Sequence, residues 1–155
     1  PLRIDNSVSF DVVTPVALFG MITGILMGIP ILSLLFFIFI PLAVLLSIVY
    51  IRMENDYKDW IGEKKGMVTG FLLAIVAMVV SVIIFIATAS YLGPIIAPLF
   101  RGIFGSSFIG EIIMTLASAN AALTIESLKL RLILTFVFYS IFGVLSGYYF
   151  ARKLR

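Results

Sequence analysis

The chain predicts an all-α integral membrane protein. It would have four transmembrane helices, arranged as two tandem hairpins, and an interfacial or re-entrant helix between spans three and four. Three observations predict this. Of the 155 residues, 62% are hydrophobic and 12% charged, whereas a soluble domain carries about a quarter charged residues. From Val12 to Ile51, forty residues pass without a charged side chain. As one helix that stretch would be about 60 Å long, twice the hydrocarbon core of a bilayer, so it must fold back on itself. Finally, Gly20-Met21-Ile22-Thr23-Gly24 returns as Gly66-Met67-Val68-Thr69-Gly70, as an internal duplication would leave it. The length allows one membrane domain over residues 1–155.

Span one is expected over 12–29. Asp11 and Thr14-Pro15 are good helix starters, because proline is tolerated in a first turn. Gly28-Ile29-Pro30 reads as a tight turn. Span two is expected over 31–51, with Pro41 in its middle removing one backbone hydrogen bond and kinking it. Residues 52–65 form a hydrophilic loop with four bases and four acids. Its Tyr57 and Trp60 suit the headgroup layer, and Glu54 with Lys58 makes a favourable i,i+4 pair. Span three is expected over 66–92, ending at Gly93-Pro94. Pro94 and Pro98 should break any longer helix there. Residues 103–123 are apolar but interrupted by polar residues. Ser107, Glu111, Thr115 and Ser118 share one helical face, which fits a helix lying along the interface, with a fifth span or a re-entrant segment as the competitor. Span four is expected over 132–151.

Topology follows from the basic residues. With four spans and the N-terminus inside, eight Lys and Arg lie inside and three outside; a fifth span makes the split seven to four. The bias favours four spans in the cell membrane with both termini cytoplasmic. The polar opening, residues 1–11, does not read as a signal peptide.

Cysteine and histidine are both absent. That removes disulfides, thiol nucleophiles, most zinc and copper sites and histidine proton relays. No metal and no cofactor is expected. The net charge of +3 is small and its bases flank the apolar stretches, so nucleic-acid binding has no support. The duplicated, glycine-rich hairpins superficially resemble the proteolipid rotor subunits of rotary ATPases. Those subunits need a mid-membrane carboxylate, and the middles of spans two and four offer none.

Gly20, Gly24 and Gly28 form a GxxxGxxxG run, with shorter versions at Gly66, Gly70 and at Gly143, Gly147. Small residues four apart let a second backbone approach closely. The partner helix belongs either to the same chain or to another copy. The polar candidates for function are Arg101, Glu111 and Glu126. Glu111 would need a counter-charge if buried, and otherwise sits on the wet side of an interfacial helix. No nucleophile–base pair or paired carboxylate has catalytic spacing, so an enzyme is not expected. The expectation is a non-catalytic structural, assembly or accessory subunit packing through its glycine faces. Its partners would be the lipid bilayer and either further copies or other membrane subunits. The alternative is a channel, carrier or lipid-handling protein for a small or poorly charged solute.

Overall fold

The computed structural model describes residues 3–29, 32–104 and 125–155. A short strand β1 (Arg3–Asp5) and a 3-10 turn (Phe10–Val12) lead into helix α1 (Val13–Gly28). A second 3-10 turn (Leu32–Leu35) precedes α2 (Phe36–Glu54). Strand β2 (Asp59–Ile61), the long helix α3 (Glu63–Phe104) and helix α4 (Ile125–Lys153) follow. Four helical segments are long and apolar enough to cross a membrane: Phe10–Gly28, Leu32–Glu54, Glu63–Thr88 and Lys129–Lys153.

Helix α3 is central. It packs most extensively against α4 and α1, while α2 closes the bundle against α4 and α1. The buried face of α3 is a strict four-residue stripe: Lys65, Thr69, Leu73 and Ala77 all have zero exposure. On a helix this spacing stacks side chains along one line. Ile40, Val44, Ile48 and Ile51 make the matching line on α2. At the end remote from the chain termini, the Phe36 ring packs on Tyr139 and Phe142, with centroids 5.9 and 5.2 Å away.

The glycines set the helix spacing. Helices α1 and α3 run parallel, with Gly20, Gly24 and Gly28 meeting Val76, Val80 and Ile84 in turn. A Cβ on Gly24 would stand 2.6 Å from the Val80 Cβ and 2.8 Å from the Ala77 carbonyl oxygen. Helices α3 and α4 run antiparallel, with Gly66 against Gly147 and Gly70 against Gly143. There each glycine abuts the other's carbonyl oxygen, leaving no room for a side chain. Such backbone-to-backbone contact gives helices their adhesion in lipid, where apolar burial contributes little.

Three expectations need correction. The helix does not end at Gly93-Pro94: α3 runs unbroken through Pro94 and Pro98 to Phe104. Each proline forfeits one backbone bond, but its fixed φ is already helical, so the helix can continue past it. Forty-two residues make α3 about 63 Å long, far beyond one bilayer core. Pro41 is not mid-helix. Because α2 begins at Phe36 after a 3-10 turn, Pro41 falls in its second turn and the helix continues through it. Lys58 pairs with Asp56 at 3.4 Å and not with Glu54, because α2 stops at Glu54 and the chain reverses there. Pro30, Glu111 and most of the 103–123 segment lie outside the described residues.

Candidate functional site

One charged end of each helix (the start of α1, the end of α2, the start of α3 and the end of α4) lies at a common pole of the bundle, and the N-terminal segment folds over it as a polar cap. The reversal after α2 begins it. Asp56 and Tyr57 take left-handed φ values of 50° and 56°, a costly conformation for a tyrosine. Backbone bonds from Asn55, Asp56 and Tyr57 to Ile51, Met53 and Arg52 hold the turn. It delivers β2 alongside β1, which pairs in parallel register from Arg3–Asp59 to Asp5–Ile61. The Gly62 N–H donates to the Asp5 carbonyl at 2.7 Å. The Asn6 side chain occupies the space a Cβ on Gly62 would need.

Lys65 anchors this strap. Its side chain is 1% exposed, and its Nζ donates to Asp5 Oδ2 at 2.8 Å and to Asp11 Oδ2 at 2.5 Å. A buried ammonium is costly unless paired, so both carboxylates are required to hold it. Ser7 donates to Asp5, from its hydroxyl and its backbone N–H, and the Ser9 hydroxyl donates to Asp11. Partial burial pushes the Asp5 carboxyl up, but the hydrogen bonds from Lys65 and Ser7 outweigh it and hold the pKa at about 2.

Because that folded-state value lies below the ordinary 3.8, Asp5 contributes its stability fully above the ordinary range. The contribution is lost as pH falls through about 2. The melting midpoint of the detergent-solubilised protein, followed by circular dichroism, should therefore drop between about pH 4 and pH 2. Asp5→Asn should remove part of that slope. An unchanged slope in the variant would remove Asp5 from the account.

Arg52 joins the loop to the C-terminus. Its guanidinium lies 4.0 Å from the Trp60 ring centroid and 5.2 Å from that of Tyr57. Its Nη1 donates to the Leu154 carbonyl at 3.2 Å, while its buried Nε has no partner among the described residues. Arg155 pairs with Glu63 at 3.4 Å. Beside the strap an open groove of about 370 Å³ is lined by Ser9, Asp11, Glu54, Asn55, Asp56 and Asp59, among others. Among the described residues no three acids are grouped to hold a metal ion.

Of the polar candidates, Arg101 lies in the last turn of α3 and Glu126 in the first turn of α4. Their side chains, like Glu111, lie outside the described residues. Within the spans, four described hydroxyls bond back to their own helices. Ser47 donates to the Ala43 carbonyl, Thr69 to that of Lys65, Ser81 to that of Met78 and Thr88 to that of Ile84. Arg131 lies over the Phe85 ring, 3.8 Å from its centroid.

The residues of the cap were not singled out by sequence reasoning, though one signal was present. Lys65 stands one turn before Thr69 on the same face as Leu73 and Ala77, so the periodicity placed it inside. Asp5 and Asp11 were then the acids at hand in the polar opening segment. No family model, no curated protein and no solved structure matches the chain.

Proposed function

We propose that the chain is a four-span membrane protein acting as a non-catalytic accessory or assembly subunit. Its cap and both described ends would lie on the cytoplasmic side. One observation carries this reading: in the described spans Ser47, Thr69, Ser81 and Thr88 bond to their own helices and the glycines close the seams between helices, while the described ion pairs all lie in the cap. Among the described residues such a bundle offers extensive apolar packing surfaces. Its glycine faces are filled by its own helices, so partners would meet the outer apolar faces. Exposed Ile22 and Ile25 on α1, Ile83 and Ile86 on α3, and Ile133 and Val137 on α4 form those faces.

The test is reconstitution into vesicles with two readouts. Oligomer or co-subunit capture should respond to polar substitutions on the outer faces, such as Ile25→Asn with Ile86→Asn. Flux across a panel of small solutes should stay at the level of empty vesicles. Solute flux that depends on the protein would replace this reading with the channel or carrier alternative.

Topology gives a separate prediction. Single cysteines at positions 7, 58 and 155 should all react from the same, cytoplasmic side, on a background with no native cysteine. Labelling of any one of them from the opposite side would break the proposed arrangement.

A further inference from the structure

The cap is electrically two-sided. Asp5, Asp11, Glu54, Asp56 and Asp59 crowd the corner where the strap meets α2, together with Arg3, Lys58 and Lys65. The C-terminal end of α4 is basic: Arg152 and Lys153 stand there, and Lys64 lies at the same level on α3, whose Gly66 touches Ala151. All three are exposed. None forms an ion pair among the described residues, whereas the neighbouring Arg155 is paired with Glu63.

The basic end continues into an apolar track. Ile141, Leu145, Tyr148 and Arg152 follow one another at spacings of four, three and four, which places them on one face of α4. Ile141 is 49% and Leu145 60% exposed, so this face is turned away from the bundle. Arg152 Nη1 donates to the Tyr148 hydroxyl at 3.0 Å, which steers the guanidinium along the same track. From Ile141 to Arg152 the helix rises about 16 Å, close to half a bilayer core. An occupant must therefore bring a negative head and a long apolar tail in a single molecule.

We propose that this face of α4 binds an anionic phospholipid. The headgroup phosphate meets Arg152 and Lys153, and an acyl chain lies along Leu145 and Ile141. The inference rests on the membrane reading above and deepens it by naming a lipid class and its seat. A basic residue at the membrane surface enriches anionic lipid about fivefold, and a guanidinium held in place can chelate phosphate oxygens.

The chain's single tryptophan, Trp60, stacks on Arg52 of α2, on the bundle side of α4, so the reporter is a tryptophan placed on the track itself, Leu145→Trp in a Trp60→Phe background. The protein is reconstituted in vesicles of phosphatidylglycerol and phosphatidylcholine. Either lipid in turn carries bromine at the headgroup end of its chains as a contact quencher. At equal mole fraction, brominated phosphatidylglycerol should quench the tryptophan at position 145 about fivefold more strongly than brominated phosphatidylcholine. Arg152→Gln with Lys153→Gln should bring the two quenchers level, and Arg152→Lys with Lys153→Arg should keep most of the difference. Lys58→Gln, on the acidic corner, should change nothing. If the Gln variant does not fold, raising the salt on the reporter protein should erase the preference, because the headgroup field is screened within about 8 Å at physiological ionic strength.

Equal quenching by both lipids would overturn the lipid seat while leaving the membrane reading intact; the basic end would then belong to an acidic protein partner or to none. A preference that survives the Gln variant would also overturn it. Failure of the protein to float with either vesicle would overturn the membrane reading and this inference together.

Discussion

Gly70→Ala should cost about 3 kcal/mol, an extreme value for adding one methyl group. The reason is what the methyl would meet. A Cβ on Gly70 lands on the carbonyl oxygen of Gly143, and one on Gly143 lands on the carbonyl of Gly70. Neither obstacle is a side chain that can turn away, so the two helix axes must separate. Separation also opens the contacts of Gly66 with Gly147 one turn along. In lipid this loss is not offset by hydrophobic burial, since the tails are as apolar as the faces they would cover. The other glycines grade the effect. At Gly24 the new atom meets Val80 Cβ and the Ala77 carbonyl, so the cost should be intermediate. At Gly20 it meets Val76 Cγ1 at 2.8 Å and Cβ at 2.9 Å, with the nearest backbone oxygen at 3.5 Å, so the cost should be smaller than at Gly24. Gly102 has open space among the described residues, and there the substitution should stabilise by up to about 1 kcal/mol through helix propensity. Thermal midpoints of the four variants in one detergent should fall in that order. A Gly70→Ala midpoint equal to that of Gly102→Ala would mean that the α3–α4 contact is absent in solution.

The four long apolar helices could be read from hydropathy and length alone, because a run such as Val12 to Ile51 admits few folds in oil. Contact partners could not be read. Gly20 and Gly66 open the same five-residue motif, yet the first lies against Val76 of a parallel helix and the second against Gly147 of an antiparallel one. Spacing reports that a face is flat and does not say which helix uses it. Pro94 and Pro98 misled for a related reason. Breaker statistics come from helices that can stop in water, and a proline ring inside an established helix costs a bond without forcing an end. The cap was missed because its parts are far apart in sequence. Asp5 and Lys65 are sixty residues apart, and only the turn at Asp56 and Tyr57 brings β2, and so the start of α3, beside β1.

Lys65→Met should cost about 3 kcal/mol, for a reason unlike the glycine case. Methionine fits the space and restores apolar contact, so packing is not the source. The loss is electrostatic: Asp5 and Asp11 both hold their carboxylates on the Lys65 ammonium. Without it two negative groups face each other over a site that water hardly enters. Both acids keep some exposure, 26% and 18% of their side chains, which places the cost at the lower end for a broken buried pair. The strap should then lift. Gly62 would lose its bond to Asp5, and β1 would come away from β2. Proteolysis or hydrogen exchange confined to residues 3–11 would show this before any loss of helix. The decisive variant neutralises all three groups, Lys65→Met with Asp5→Asn and Asp11→Asn. Replacing a buried ion network by neutral groups of similar size is often harmless, so the triple variant should regain most of the lost stability. If it is no better than Lys65→Met alone, the lysine acts through its packing. If Lys65→Met itself melts with the unaltered protein, the strap is not anchored there and the cap loses its keystone.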